Sequence, residues 1–243
     1  MFDLDDTLFA HRDAVTRGIR ARMDELGGVY RSGKAGSAVA LWHELEERHY
    51  HSYLAGELDF EGQRRARARD FATHFGITLD ADAAGDWFDR YFEHYVDSWS
   101  LHDDALPTFR ALRARNPGVR LGLITNGDIA FQRRKVERVG LDSEVEHVIA
   151  SSEVGVAKPD RRIFEYACRV FGVLPSQAVY VGDRLRTDAI GAAEAGLTGI
   201  WINRGSVVPT TTDAADARAA GVLTISALSE LPALLTNENA GGE

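Results

Sequence analysis

Arg120-Leu-Gly-Leu-Ile-Thr-Asn-Gly-Asp128 is a short apolar run that breaks off in a polar turn. Its apolar part has the length of a buried strand and falls short of a helix. Runs of the same kind recur at 146–150, 178–181 and 199–202, with a weaker one at 222–225. Helical patterns at 129–139, 160–171 and 188–195 separate them. Buried strands that alternate with helices predict an α/β fold, a parallel sheet with helices on both faces.

Upstream the pattern changes. Residues 11–99 are rich in Arg, Glu, His and aromatics and read as helix after helix, with no strand-like alternation. Val39, Trp42, Leu45, His49 and Tyr53 fall at three- and four-residue steps on one helical face, and 62–75 and 86–99 repeat the style. The expected organisation is a core of residues 1–10 and 100–236, an all-helical insert at 11–99, and a disordered tail at 237–243. Only Met1 and Phe2 precede Asp3, whereas a buried strand carries about five residues. That shortfall favours a start upstream of Met1.

Composition narrows the classes. The 243 residues are 44% apolar and 27% charged, which excludes a disordered acidic tail and a membrane protein. A single cysteine, Cys168, rules out an internal disulfide framework and a Cys-rich zinc site, and reads as a small buried hydrophobe. His49 and His51 are two apart and face different ways on a helix, so no zinc set is expected. With no apolar run near a membrane span and no signal peptide, a cytoplasmic protein is expected. The net charge of −9 argues against long nucleic acids as partners but leaves room for a small phosphorylated ligand. The 28 basic residues include only three lysines, Lys34, Lys135 and Lys158. Nothing in the sequence speaks to the oligomeric state.

In an open α/β sheet, ligands bind at the carboxyl ends of the strands. The first strand ends in Asp3-Leu-Asp5-Asp-Thr7, and the strand at 120–124 ends in Thr125-Asn126-Gly127-Asp128. The strand at 178–181 ends in Gly182-Asp183, with Asp188 five residues on, and Lys158-Pro159 opens the helix at 160. Each element alone has an ordinary reading as a turn, a helix cap or a solvated lysine. Together they bring four acids, a hydroxyl and a lysine to one sheet edge. Carboxylates collect at one point when a cation holds them, and oxygen ligands of this kind suit magnesium, which also accepts a phosphate oxygen.

In these four motifs, in this order, the chain resembles the haloacid dehalogenase superfamily, in its phosphatase branch. Asp3-Leu-Asp5-Asp-Thr7-Leu8 matches the first motif and Leu123-Ile-Thr125-Asn-Gly127 the second. Lys158-Pro159 matches the third and Gly182-Asp183-Arg-Leu-Arg-Thr-Asp188 the fourth. The resemblance implies a Rossmann-like core and a Mg²⁺-dependent phosphatase of a small phosphorylated metabolite. Asp3 would be the nucleophile that forms an aspartyl-phosphate, and Asp5 the general acid and base. The Asp3 and Asp183 side chains and the Asp5 carbonyl would ligate Mg²⁺, with Asp188 orienting a bound water or Lys158. Thr125, the Asn126 amide and Lys158 would hold the transferring phosphoryl group. Dehalogenases of the superfamily lack an acid two residues after the nucleophile, so Asp5 disfavours dehalogenation.

The helical insert matches the cap of one branch of the superfamily, which closes over the site and supplies substrate contacts. The Asn-Gly-x₄-Gln132-x₂-Lys135 stretch and Ile-Trp-Ile-Asn-Arg204 are similar to the branch of pyrimidine nucleotidases and acylneuraminate-9-phosphatases. Within the insert, Trp87, Tyr91 and Tyr95, with Phe88 and Phe92, are expected to be its core, and Arg64 to Arg69 a solvated face. His11 is a candidate for the pocket edge. The alternatives are a phosphomutase on the same core, or a catalytically weak relative kept for binding or assembly.

Overall fold

The computed structural model describes residues 1–31, 35–205 and 207–238. The chain divides into two compact units, His11–Trp99 on one side and Met1–Ala10 with Ser100–Glu243 on the other. Among the described residues, no helix is long and apolar enough to cross a membrane.

The unit His11–Trp99 is built from α1 (His11–Leu26), α2 (Ala35–Leu54), α3 (Phe60–His74) and α4 (Ala81–Asp97). Asp59 caps α3 by accepting from the Gly62 N–H, and Asp80 caps α4 by accepting from the Ala83 N–H. Trp42 of α2 is fully buried at the centre. Its ring lies 5.1 Å from Phe71, 5.3 Å from Trp87 and 4.6 Å from Tyr91. The row of Trp87, Tyr91 and Tyr95 is core, with all three side chains buried. The α2 face expected from the sequence holds for Trp42, Leu45 and His49, but Tyr53 is exposed.

One expectation here is overturned. The run Arg64 to Arg69 is not a solvated face throughout, because Arg67 is buried. Its guanidinium stacks 3.9 Å over the Trp42 ring and donates to Glu46 at 2.8 Å. Arg64 lies 4.1 Å over the Phe60 ring. Aromatic faces and one carboxylate replace water around these cations.

The second unit begins with Met1–Ala10 and resumes at Ser100. It carries α5 (Ala105–Arg115), β1 (Gly122–Thr125), α6 (Ile129–Arg138), β2 (His147–Ala150), α7 (Ser151–Val154), α8 (Arg161–Phe171) and β3 (Val179–Gly182). A π-helical turn (Leu185–Ile190) runs into α9 (Gly191–Glu194), followed by β4 (Thr198–Ile202), α10 (Thr211–Ala219), β5 (Leu223–Ile225) and α11 (Leu231–Glu238). Every strand pairing is parallel. The solution is the α/β fold that the alternating pattern predicts.

The sheet has two parts, β2 beside β1 and the row β3, β4, β5. The first residues join them. Phe2 bridges Leu123 of β1 and Val181 of β3, both in parallel sense. The Phe2 N–H donates to the Gly122 carbonyl at 2.9 Å, and the Asp3 N–H to the Val181 carbonyl at 2.8 Å. The short first segment is therefore a central element of the sheet, despite its two apolar residues. Under it, α8 packs Ile163, Phe164, Ala167, Cys168 and Phe171, an i, i+1, i+4, i+5, i+8 stripe, against Ile124 and Tyr180. Cys168 is the small buried hydrophobe expected.

The helical pattern expected at 188–195 starts three residues earlier, as the π-helical turn, because Leu185 to Asp188 carry too little apolar periodicity to be legible. Asn237 and Glu238, expected in the tail, complete α11 instead, and 239–243 lie outside the described residues. The π-helical turn packs against β4 so closely that a Cβ at Gly199 would collide with the Ala189 carbonyl. Gly199→Ala is therefore expected to destabilise the protein by about 2 kcal/mol or more, as overpacking does. Urea unfolding compared with wild type measures this, and an unchanged midpoint would refute the close packing.

Candidate active site

Asp3 leaves the sheet where its own backbone is held by Val181. The chain then doubles back, with the Leu8 and Phe9 N–H groups both donating to the Leu4 carbonyl. Asp6 sits at the bend with φ 58°, a left-handed conformation that aspartate tolerates better than most residues. Leu4, Leu8 and Phe9 are fully buried and anchor the loop. Arg204, just past β4, ties it down by donating to the Thr7 carbonyl at 3.0 Å while gripping Asp104 with two nitrogens at 2.8 and 2.9 Å.

Lys158 is the centre of the polar cluster. Its ammonium donates to Asp3 Oδ1 at 2.6 Å, Asp188 Oδ1 at 2.7 Å and the Tyr180 hydroxyl at 2.8 Å. All three protons are thus engaged, and the side chain is only 3% exposed. Tyr180 passes the order on by donating to the Ile124 carbonyl at 2.7 Å. Burial alone would lower the Lys158 ammonium, but the adjacent Asp188 and Asp3 outweigh it and hold it above the usual lysine range. Asp188 has its second oxygen on the Arg184 N–H at 2.9 Å, which sets the first turn of the π-helical segment.

Asp183 lies at the end of β3, and its carbonyl accepts from the Trp201 indole at 2.8 Å. One carboxylate oxygen from each of Asp3, Asp183 and Asp188 falls within 4.8 Å of the others. Burial, then the charges of Asp3, Asp188 and Asp6, push Asp183 up to about 8. Burial likewise pushes Asp3 up to about 7, against the pull of Lys158. Three acids and one ammonium leave a surplus of negative charge in a buried place. A divalent cation with oxygen preference fits this donor set.

The second strand end is built differently. Asn126 uses its side chain, not only its backbone: Nδ2 donates to the Lys158 carbonyl at 3.0 Å and Oδ1 accepts from the Lys158 N–H at 2.8 Å. It therefore aligns the segment that carries the lysine. Asp128 caps α6 by accepting from the Phe131 N–H. Thr125 Oγ1 accepts from Gln132 Nε2 at 2.6 Å, so its own proton faces only a long 3.4 Å contact with the Asn126 carbonyl. That leaves the hydroxyl able to donate elsewhere.

The Asp5 carboxylate is held by a different cation from that of Asp3. Lys135 Nζ donates to both its oxygens, at 2.8 and 3.0 Å, and Gln132 Nε2 approaches Oδ2 at 3.2 Å. Of the residues expected from the sequence, the structure brings Asp3, Lys158 and Asp188 into direct contact and sets Asp183 beside them. Thr125 and Asn126 lie on the adjoining strand end, and Asp5 has a cation of its own. Sequence reasoning missed the roles of Gln132, Lys135, Tyr180 and Arg204. Gln132, Lys135 and Arg204 stand in stretches that the family resemblance picks out, but each of the four acts on a partner that no local pattern indicates.

The family model for haloacid dehalogenase-like hydrolases matches residues 1–196. A glyceraldehyde 3-phosphate phosphatase of Methanopyrus kandleri is 42% identical over 209 residues, covering 84% of this chain and 83% of that protein. The human N-acylneuraminate-9-phosphatase is 29% identical over 237 residues, covering 96% and 92%. Among solved structures, a protein of Bacillus subtilis assigned as a HAD-hydrolase and bound to magnesium superimposes with a TM-score of 0.74 at 19% identity, over 96% of each chain.

The raised carboxyls have a measurable consequence. A carboxyl whose value rises on folding binds more protons folded than unfolded, so without metal its contribution falls as pH rises from about 4 towards 8. In EDTA, wild type is expected to lose melting temperature across that window more steeply than Asp183→Asn. Magnesium at pH 8 should raise the melting temperature of wild type and do much less for the variant. Parallel pH profiles for the two proteins would contradict the charge surplus assigned to Asp183.

Proposed function

The chain belongs to the haloacid dehalogenase-like hydrolase family, and from that membership we propose a phosphatase of small phosphorylated metabolites that works through an aspartyl-phosphate. The supporting observation is the division of labour on one loop: Asp3 is paired with Lys158, and Asp5, two residues on, with Lys135. One carboxylate is set up to attack and the other to carry a proton.

In the first half of the reaction an Asp3 oxygen bonds to phosphorus as the ester P–O bond breaks. The leaving alkoxide takes its proton from the Asp5 carboxylic acid, which becomes carboxylate. In the second half, Asp5 takes a proton from water as the water oxygen bonds to phosphorus. The bond between Asp3 and phosphorus breaks, phosphate departs and the Asp3 carboxylate is restored. Thr125 and the Asn126 N–H would donate to the phosphoryl oxygens, and Lys158 would balance their charge. Asp188 keeps Lys158 aimed. Magnesium, held by the Asp3 and Asp183 side chains and the Asp5 carbonyl, would neutralise phosphoryl charge.

The relatives' substrates, as their names give them, are both phosphates of primary alcohols in hydroxylated carbonyl compounds. We place this chain's substrate in the same chemical class. A primary alkoxide is a poor leaving group and needs the proton that Asp5 would give. A halide would not, which is why dehalogenation is not the activity proposed. The helical unit His11–Trp99, inserted directly after this loop in the chain, is proposed as the cap that selects the substrate.

Phosphate release from p-nitrophenyl phosphate tests the chemistry. Release that requires Mg²⁺, is lost in EDTA and falls by several orders of magnitude in Asp3→Asn is expected. Full activity of Asp3→Asn would overturn the nucleophile assignment. Asp5→Asn should slow alkyl phosphates far more than aryl phosphates, and equal slowing of both would remove its role as acid.

A further inference from the structure

We infer that Lys135 is the positioning residue for proton transfer, acting on the reaction only through Asp5. The inference rests on the phosphatase reading above and goes beyond it, because that reading places Asp5 alone on the proton path.

Lys135 sits on α6 with its side chain 4% exposed. Its ammonium lies 5.2 Å from the Phe9 ring and 4.9 Å from the Phe131 ring, and it reaches both oxygens of Asp5. Burying an ammonium is costly unless a carboxylate compensates it, so a lysine in this place is committed to its partner. Lysine is also the rare choice in this chain, three among 28 basic residues. The two that lie within the described residues, Lys135 and Lys158, are both buried, and each holds one acid of the same loop. A compact point charge with rotatable donors grips the Asp5 carboxylate by both oxygens.

The grip has a direction. Gln132, one turn before Lys135 on the same face of α6, donates from one nitrogen towards Thr125 Oγ1, the Asn126 carbonyl and Asp5 Oδ2. The carbonyl and the carboxylate can only accept, which fixes which end of the amide faces them. Helix α6 thus ties the proton carrier to the hydroxyl that is to hold the phosphoryl group, and Lys135 sets the plane of the Asp5 carboxylate. The acid that Lys135 holds is Asp5, whereas Asp3 and Asp188 are held by Lys158, so Lys135 is a support for Asp5 and not a second phosphate ligand. A proton carrier on a loop next to a left-handed residue depends on such a support for its aim.

The test is a double-mutant cycle of Asp5→Asn and Lys135→Met. Turnover is measured on p-nitrophenyl phosphate and on glycerol phosphate, with saturating Mg²⁺. Lys135→Met should lower kcat on the alkyl ester about 10²-fold, within the usual span of general acid–base catalysis, and less than about tenfold on the aryl ester. KM should stay within about twofold. In the Asp5→Asn background the same substitution should cost nothing further. Equal losses on both esters, a loss confined to KM, or additivity in the double variant would each overturn the inference while leaving the phosphatase intact. Should Asp5→Asn itself slow both esters alike, the underlying reading fails and the inference falls with it. Melting curves accompany the kinetics, and Lys135→Gln, which retains a donor without the charge, is judged by the same criteria.

Discussion

The buried ammonium of Lys158 organises the core unit. With Asp3, Asp188 and Tyr180 on its three protons, it joins the first segment, the π-helical turn and β3 at one atom. Removing it would strand two carboxylates without a cation, the costliest kind of buried defect. Asn126 then fixes the lysine's own backbone, so the second strand end is bound into the same arrangement. The cluster is a set of mutually dependent contacts, and the order of the loops around it follows from satisfying one cation.

A second cation serves a second acid. Asp3 and Asp5 lie two residues apart yet are held by lysines from different helices and loops, which keeps their environments distinct. Neighbouring carboxylates with separate partners are a general route to separate roles. The same economy governs the helical unit, where Arg67 is lodged among Trp42, Tyr91 and Glu46. There too a cation is admitted to an apolar interior because aromatic faces and a carboxylate surround it.

Much of the core was legible because polar turns interrupt short apolar runs, and the four motifs lie at those interruptions. What escaped was whatever depends on distant partners. The clasp between Lys135 and Asp5 spans 130 residues, and nothing local to Gln132-x₂-Lys135 announces it. Arg67 sits in a run that looks like a solvated surface, and only the rings of α2 and α4 reveal otherwise. Arg204 stands out as part of a pattern, but its hold on Thr7 crosses 197 residues. The first strand shows only two apolar residues before Asp3. Neighbours on both sides pair with it, Leu123 on one and Val181 on the other.

That last arrangement has a kinetic side. The segment at 1–3 pairs with Leu123 and Val181, about 120 and 180 residues further along, and it is what joins the two parts of the sheet. Contacts of such long sequence separation cost loop-closure entropy and are slow to form. Closing the sheet and seating Asp3 are consequently one event. A partly folded core can carry helices, strands and even a formed Asn126 loop, yet it leaves Asp3 unseated. The charge cluster around Lys158 is thereby complete only when the whole unit has assembled.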